Sequence, residues 1–299
     1  MTIPPRIGAF EIARLEPPDL PELLAFLDED PVQRVFWIAL ALRDALARPR
    51  DEAWAARRDG AIVAAVHLSG GSGAILPLGD DTDALERLAG QAWGRRTLLP
   101  RRAQIIGPRG AAWSFARAFV QGGAHPRIAR EQTYFAVERG ALAPVERLPS
   151  LRAARPDDFA LVYESGAALR AEELEEDPRA VDAQAYARRV EEECRDGHTF
   201  LWIEGSELRF RASISAATAD AVQISGVYTP PAQRRRGYAR RGLAELCARW
   251  FERSRTACLF VNDFNSPALG LYRELGFRAV GAWGSYFFDS LEPRPPLRA

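Results

Sequence analysis

Short runs of alternating apolar and polar residues recur along the chain and are separated by segments with helical periodicity. In the first half, the alternation predicts strands over residues 11–15, 53–58, 61–68, 73–78, 103–106 and 132–138. Helices are predicted between them over residues 20–28, 31–47, 82–93 and 111–120. Asp59-Gly60, between two of these strands, is typical of a tight β-hairpin turn. The pattern therefore predicts antiparallel strands combined with helices.

The second half repeats this order of elements. Strands are predicted over residues 151–154, 199–204, 208–216, 221–228 and 257–261, with a closing strand at 286–289. Helices are predicted to begin at Pro156 and Tyr238 and to cover residues 183–194 and 267–275. A proline-containing stretch over residues 140–149 lies between the halves. We therefore predict an internal repeat of class α/β (α+β), with one domain over residues 1–145 and a second over residues 146–299.

Composition excludes several functional classes. The chain has 40 basic and 40 acidic residues, so it lacks the basic field of nucleic-acid-binding proteins. The three cysteines are widely spaced and the three histidines are scattered, which favours neither a disulfide framework nor a metal site. Residues 1–10 do not resemble a signal peptide, and the apolar run over 36–42 is far below the roughly 20 residues that span a bilayer. We expect a cytoplasmic protein without metal, nucleic-acid or membrane partners.

The most informative segment covers residues 227–241, Val-Tyr-Thr-Pro-Pro-Ala-Gln-Arg-Arg-Arg-Gly-Tyr-Ala-Arg-Arg. It follows an apolar strand and opens an amphipathic helix. The small residues Gly237 and Ala239 would let main-chain amides approach a ligand, and a helix N-terminus favours an anion. The arginines at 234–236 add positive charge, so the segment suits a diphosphate. Taken alone, those arginines are also compatible with a solvated basic turn, and Gly237 with a simple helix start.

A second ordered motif follows over residues 258–277, Cys-Leu-Phe-Val-Asn-Asp-Phe-Asn-Ser-Pro-Ala-Leu-Gly-Leu-Tyr-Arg-Glu-Leu-Gly-Phe. Asn265 or Ser266 is suited to cap a helix that has Pro267 in its first turn, and Gly276 is suited to end it. Tyr272 alone would be interpreted as a packed aromatic residue with a satisfied hydroxyl.

Together the two motifs resemble those of the GNAT superfamily of N-acetyltransferases. Arg234, Gly237 and Ala239 fill the pattern [QR]-x-x-G-x-[GA], and Asn265, Tyr272 and Gly276 fall in the pattern N-x-x-[AS]-x-x-[LF]-Y-x-x-x-G-F. The resemblance implies two GNAT-like domains, each a mixed, mostly antiparallel twisted sheet flanked by helices. It also implies an acetyl group moved from acetyl-CoA to a primary amine by direct attack.

By the same resemblance, a main-chain amide near Val227 polarises the thioester and Tyr272 acts as general acid. The residues that would bind the coenzyme are Val227, Tyr228, Thr229, Arg234, Arg235, Arg236, Gly237, Tyr238, Ala239, Arg240 and Asn265.

The base and the acceptor stay open in the sequence. Gln223 and Ser225 occupy the strand where relatives carry an acid, and Asp220, Glu164 or a water-mediated base are alternatives. Acidic residues fill residues 172–177 except for Leu174. This run favours a cationic acceptor if it walls the acceptor site, and is otherwise a solvated helix end.

The first half resembles a degenerate GNAT-like domain. Residues 76–81 stand where the phosphate loop would be, and their two aspartates would repel a diphosphate. The position matching Tyr272 falls near Ala118, so the acid is missing. Gly107 and Gly110 are interpreted as residues of a tight turn, with ligand binding as the alternative. Two alternatives to an amine acetyltransferase remain: a non-catalytic acetyl-CoA-binding sensor, and a tandem acetyltransferase similar to mycothiol synthase.

Overall fold

A computed structural model describes residues 10–292 of the chain. The predicted absence of a signal peptide concerns residues that lie, apart from Phe10, outside the described residues, as do the outer ends of both predicted domains. In the first half the elements are β1 Glu11–Leu15, α1 Leu20–Leu27, α2 Val35–Asp44, β2 Asp51–Arg58, β3 Ala61–Ser69, β4 Ala74–Gly79, α3 Thr82–Gly94, β5 Ala103–Pro108, α4 Arg109–Gln121 and β6 Ile128–Glu138. In the second half they are β7 Arg152–Ala153, α5 Phe159–Leu174, α6 Pro178–Asp196, β8 Thr199–Glu204, β9 Glu207–Ala217, β10 Ala221–Tyr228, α7 Tyr238–Trp250, β11 Thr256–Asn262, α8 Ser266–Glu274 and β12 Arg278–Phe288.

The strands form one twelve-stranded sheet in the order β1-β2-β3-β4-β5-β12-β6-β11-β10-β9-β8-β7. Neighbouring strands are antiparallel except for the pairs β4/β5 and β10/β11, which are parallel. Two large apolar cores pack helices against the sheet: one joins α3 and α4 to the first half, and the other joins α7 and α8 to the second. The predicted mixed, mostly antiparallel sheet flanked by helices is confirmed.

The two halves exchange strands at the centre of this sheet. β6 of the first half lies between β11 and β12, and β12 of the second half lies between β5 and β6. The prediction of a short closing strand at 286–289 was wrong, because β12 begins at Arg278 and is central. Its first residues are exposed and its register shifts between Ala279 and Gly281, so the sequence there does not alternate. The two-domain boundary at 145/146 stays a prediction, while the sheet itself is continuous.

The helix before each exchanged strand ends in the same way, which reveals the internal repeat. The Ala124 amide donates to the Phe119 carbonyl, and the Phe277 amide donates to the Tyr272 carbonyl, and each N–O distance is 3.0 Å. Gly123 (φ +98°) and Gly276 (φ +92°) provide the left-handed residue in each turn. The ring of Phe119 lies 5.9 Å from that of Phe288, and Tyr272 lies 6.0 Å from Phe135. The structural counterpart of Tyr272 is therefore Phe119, one residue beyond the predicted Ala118.

The largest misjudged region is the helical pair that precedes β8. The sequence predicted a helix start at Pro156 and a helix over residues 183–194, whereas α5 and α6 together extend from Phe159 to Asp196. They meet at Glu175, whose φ of +54° turns the chain, and α6 is kinked at Asp182. Their junction carries the acidic run of residues 172–177.

Between residues 10 and 292, no helix combines the length and apolar character needed to cross a membrane.

Candidate functional site

The parallel strands β10 and β11 separate partway along their length. Their pairing covers residues 221–223 of β10 and ends at Gln223 and Cys258. Beyond that point β10 carries an irregularity between Ser225 and Tyr228, where Gly226 has a φ of +60°. A Cβ at Gly226 would meet atoms no closer than 3.7 Å, so the backbone angle rather than space requires glycine here. The result is a gap between the carboxyl ends of β10 and β11, which we call the wedge.

The loop from Thr229 to Gly237 brings the chain from the wedge into α7. Arg235 (φ +65°) and Gly237 (φ +80°) are both left-handed, and Gly237 caps the helix without a side chain. Within residues 10–292, the main-chain amides of residues 235–240 donate to no acceptor. A non-glycine residue in this conformation costs about 1–2 kcal/mol, and such strain is concentrated at functional sites. Free amides at a helix start with alternating backbone handedness form an anion-binding site.

Arg234 and Thr229 link this loop to its surroundings. The Arg234 Nε donates to the Thr229 carbonyl at 3.0 Å, and its Nη2 donates to both carboxylate oxygens of Glu172 at 2.8 Å. The Thr229 hydroxyl is buried and has no hydrogen-bond partner in the described part of the chain. Since a buried hydroxyl without a partner is costly, this group fits a ligand that would complete its hydrogen bond.

The remaining residues predicted for the coenzyme fall into two groups. Val227, Tyr228, Arg235, Arg236 and Ala239 lie along the wedge and the loop, as does the exposed Arg240. The Tyr238 ring instead packs edge-on against Trp202, with ring centroids 5.0 Å apart. Tyr238 therefore offers its main-chain amide, and not its ring, to a ligand at the loop. The Asn265 side chain accepts from the Ala268 amide at 3.2 Å and thus caps α8.

Tyr272 is buried in the apolar core of the second half, where its ring packs against Phe135 and Phe277. Burial, and secondarily the charge of Glu173, raise the pKa of its hydroxyl well above the usual range. A tyrosine in this state remains protonated at neutral pH and is suited to donate a proton.

Glu173 is the functional candidate that the sequence did not single out. It lies in the last turn of α5, and its side chain is exposed to solvent. Desolvation by the neighbouring protein nevertheless raises the pKa of its carboxyl to about 7. The charge of Glu172 raises this pKa further, and the charge of Arg170 lowers it. The charge of Glu173 acts on the Tyr272 hydroxyl, so these two side chains are candidates for an acid–base pair. The only signal in the sequence was its membership of the acidic run.

The other acids of this run are paired with arginines. Glu172 binds Arg234 at 2.8 Å, Glu175 binds Arg130 at 2.6 Å, Glu176 binds Arg102 at 2.7 Å and Asp177 binds Arg179 at 2.7 Å. The run lies at the end of α5 with Glu172, Glu173 and Glu175 exposed, so it is a solvated helix end whose charges are largely balanced by arginines. It gives no specific support to a cationic acceptor.

The earlier candidates for the base are poorly placed. Asp220 precedes β10, so it lies at the opposite end of that strand from the loop, and it pairs with Arg255 at 3.2 Å. Glu164 is exposed and pairs with Arg179 at 2.6 Å. The Gln223 side chain is buried near the Tyr134 hydroxyl at 3.4 Å.

In the described part of the chain, no cluster of three or more His, Cys, Asp or Glu side chains is arranged to hold a metal.

Comparisons with known proteins agree with this geometry. Residues 213–287 match the FR47-like protein family. A GCN5-related N-acetyltransferase from Sphaerobacter thermophilus is 19% identical, with 97% of this chain and 98% of that chain covered and a TM-score of 0.59. For a Drosophila protein the identity is 14%, the coverage 94% and 98%, and the TM-score 0.64.

A tandem GNAT protein from the clavulanic acid biosynthesis pathway is 16% identical, with 96% of this chain and all (100%) of that chain covered and a TM-score of 0.54. No curated protein sequence matches this one. The chain has the GNAT fold, and the FR47-like segment within it contains the wedge, the loop and Tyr272. The resemblance inferred from the two motifs is confirmed.

Proposed function

We propose that the protein is an acetyl-CoA-dependent N-acetyltransferase whose second half carries the reaction. The observation that carries this proposal is the set of free amides at residues 235–240, placed at the mouth of the wedge. Acetyl-CoA carries a diphosphate, which a free helix start can bind, and an extended pantetheine arm, which can lie along an unpaired strand edge. The acceptor would be a primary amine of a small molecule or peptide.

Each part of the site would have a distinct role in binding acetyl-CoA. The amides of the loop and of the first turn of α7 would take the pyrophosphate, with the exposed Arg235, Arg236 and Arg240 contributing positive charge. The edge of β10 beyond Gln223 is unpaired with β11 and is free to hydrogen-bond the amides of the pantetheine arm. The thioester would then lie deep in the wedge, near Tyr272 and Glu173.

The reaction requires one new C–N bond and the loss of one C–S bond. Glu173 would accept one proton from the acceptor's ammonium group, so that the neutral amine attacks the carbonyl carbon. As the tetrahedral intermediate collapses, the nitrogen would lose a second proton, which replaces through solvent the proton that Tyr272 donates. A main-chain amide of β10 in the wedge would stabilise the negative oxygen, and Tyr272 would protonate the departing thiolate. No enzyme thiol is needed. Cys247 and Cys258 are buried, and burial raises the pKa of both, that of Cys258 to about 12.

The test is release of free thiol from acetyl-CoA with a panel of primary amines, together with calorimetry of acetyl-CoA binding. Amine-dependent thiol release with acetylated product supports the proposal. Binding without turnover across the panel would favour the sensor, whereas turnover confined to the amine of a thiol precursor would favour an enzyme similar to mycothiol synthase. The absence of any acetyl-CoA binding would contradict all of these functions.

A further inference from the structure

The C-terminal end of α5, which carries Glu173, is held by the first half of the molecule. α5 ends at Leu174, and within residues 10–292 no main-chain amide closes this end. Instead the Glu173 carbonyl accepts from Arg130 Nη2 at 3.3 Å, and the Leu174 carbonyl accepts from Arg127 Nη1 at 2.8 Å. Arginines at a helix C-terminus satisfy its carbonyls and complement its dipole. Residues of the other half thus provide the cap.

Ion pairs reinforce this cap on the side chains that follow. The carboxylate of Glu175 pairs with Arg130 at 2.6 Å, and that of Glu176 pairs with Arg102 at 2.7 Å and Arg127 at 3.5 Å. The Arg130 side chain is 16% exposed whereas that of Glu175 is 71% exposed, so solvent partly screens this pair. Its guanidinium also lies 5.2 Å from the Phe264 ring centre, in the loop between β11 and α8. Arg130 therefore contacts both the end of α5 and the loop between β11 and α8.

We propose that Arg130 is a positioning residue for Glu173, so that the first half of the chain forms part of the active site built on the second. This inference rests on the proposed function. Arg130 holds the main chain of the residue whose carboxylate acts as base, and it would not touch the reacting atoms. Without it, the last turn of α5 would fray and the carboxylate would lose its fixed place near Tyr272.

The charges around Glu173 set the expected direction of the pH effect. It faces Glu172 and Arg170 on α5 and Tyr272 on α8, while Arg130 reaches its main chain from β6. Removing Arg130 leaves the Glu175 carboxylate without its partner, which adds uncompensated negative charge beside Glu173. The acidic limb of kcat against pH should therefore move to higher pH.

The first experiment compares Arg130→Ala with wild type in kcat, in its pH profile and in affinity for acetyl-CoA. We expect kcat to fall about tenfold and the acidic limb to rise by about half a pH unit, with coenzyme affinity unchanged. Arg130→Lys, which restores the charge without the planar fork, should recover part of both changes. Arg117→Ala is the matched control, because Arg117 forms an exposed pair with Glu86 away from α5.

Hydrogen exchange measured by mass spectrometry provides a readout that does not need turnover. Amides of residues 170–178 should exchange faster in Arg130→Ala than in wild type or Arg117→Ala. Unchanged exchange, or an unshifted pH profile in an active protein, would overturn the inference. Failure of the proposed function is distinct, because the wild type itself would then release no thiol, while exchange would still show whether Arg130 holds α5.

Discussion

The two halves of the molecule differ most where a helix follows the fourth strand of each repeat. In the first half, Asp80 and Asp81 alone separate β4 from α3, and the Asp81 carboxylate accepts from the Ala84 amide at 3.0 Å. In the second half, residues 229–237 separate β10 from α7, and Gly237 leaves the helix amides free. A capped helix start already contains its anion, whereas an uncapped one can receive an anion from a ligand.

The strands beside these helices show the same contrast. In the first half, the pairing of β4 with β5 also ends early, at Ile75 and Ile105. A Cβ on Gly107 would nevertheless come within 2.6 Å of the Pro77 carbonyl oxygen, so these two strands stay close together beyond their last pair. In the second half, pairing stops at Gln223 and the wedge opens. Phe119 also stands where the second half has Tyr272. The second half thus differs from the first by a loop, an open strand edge and a hydroxyl, which together form the candidate binding site.

The largest effect is expected when the free helix start is blocked. Gly237→Glu would place a side chain at a φ of +80° and a negative charge among the loop amides. We expect affinity for acetyl-CoA, measured by calorimetry, to fall by more than roughly a thousandfold. Gly110→Glu is the control from the first half, because Gly110 lies near the start of α4 with open space around its Cα. Equal affinity in Gly237→Glu and wild type would remove the loop from the coenzyme site.

Loss of the base should be the next largest effect. Because the pKa of Glu173 is about 7, its carboxylate form predominates above pH 7, and kcat should fall as pH decreases below that value. Glu173→Gln should lower kcat by roughly a thousandfold and abolish this acidic limb, while acetyl-CoA affinity changes little. Glu164→Gln serves as control, since Glu164 is exposed on the same helix. An acidic limb that persists in Glu173→Gln would assign the base to another group.

Loss of the acid should have a smaller effect, because thiolates leave without full protonation. Tyr272→Phe should lower kcat by roughly a hundredfold with coenzyme affinity unchanged. It makes the second half resemble the first, where Phe119 occupies the equivalent position. Phe119→Leu should alter stability without changing kcat, because that ring belongs to the core of the first half. Wild-type turnover in Tyr272→Phe would limit the tyrosine to packing.

The elements that sequence reasoning predicted well are those whose signals are local. β1, β8 and β10 have the predicted bounds, and α3, α7 and α8 begin within one residue of their predicted starts. Alternation and helix caps depend on residues that are neighbours in the sequence, so both can be recognised there. The strand exchange was not predicted, since β6 and β12 pair through contacts between distant segments. Glu173 was not distinguished from its acidic neighbours for the same reason: their partners Arg102 and Arg130 lie far away in the chain.

The smallest predicted effect concerns stability at a position where the two halves again differ. Glu245 occupies the place in α7 that Ala89 occupies in the equally long α3, and both are buried. The Glu245 carboxylate accepts from Arg147 Nε at 2.8 Å, from the Leu148 amide at 2.9 Å and from Arg249 Nε at 2.8 Å. Glu245 therefore holds the linker between the halves against α7. Ala89 has no polar side-chain group and cannot make such contacts.

Burial alone would raise the pKa of Glu245, but these hydrogen bonds outweigh it and lower the pKa to about 2. A depressed carboxyl pKa stabilises the folded state above its unfolded value of 4.5, and this stabilisation, on the order of 2–3 kcal/mol, is lost as pH falls toward 2. Glu245→Gln should lower the urea midpoint at pH 7 and weaken its dependence on pH between 4.5 and 2. The exposed Glu252→Gln should change neither. Equal acid sensitivity in both variants would mean that other carboxylates dominate, and that the linker is fastened by its apolar contacts.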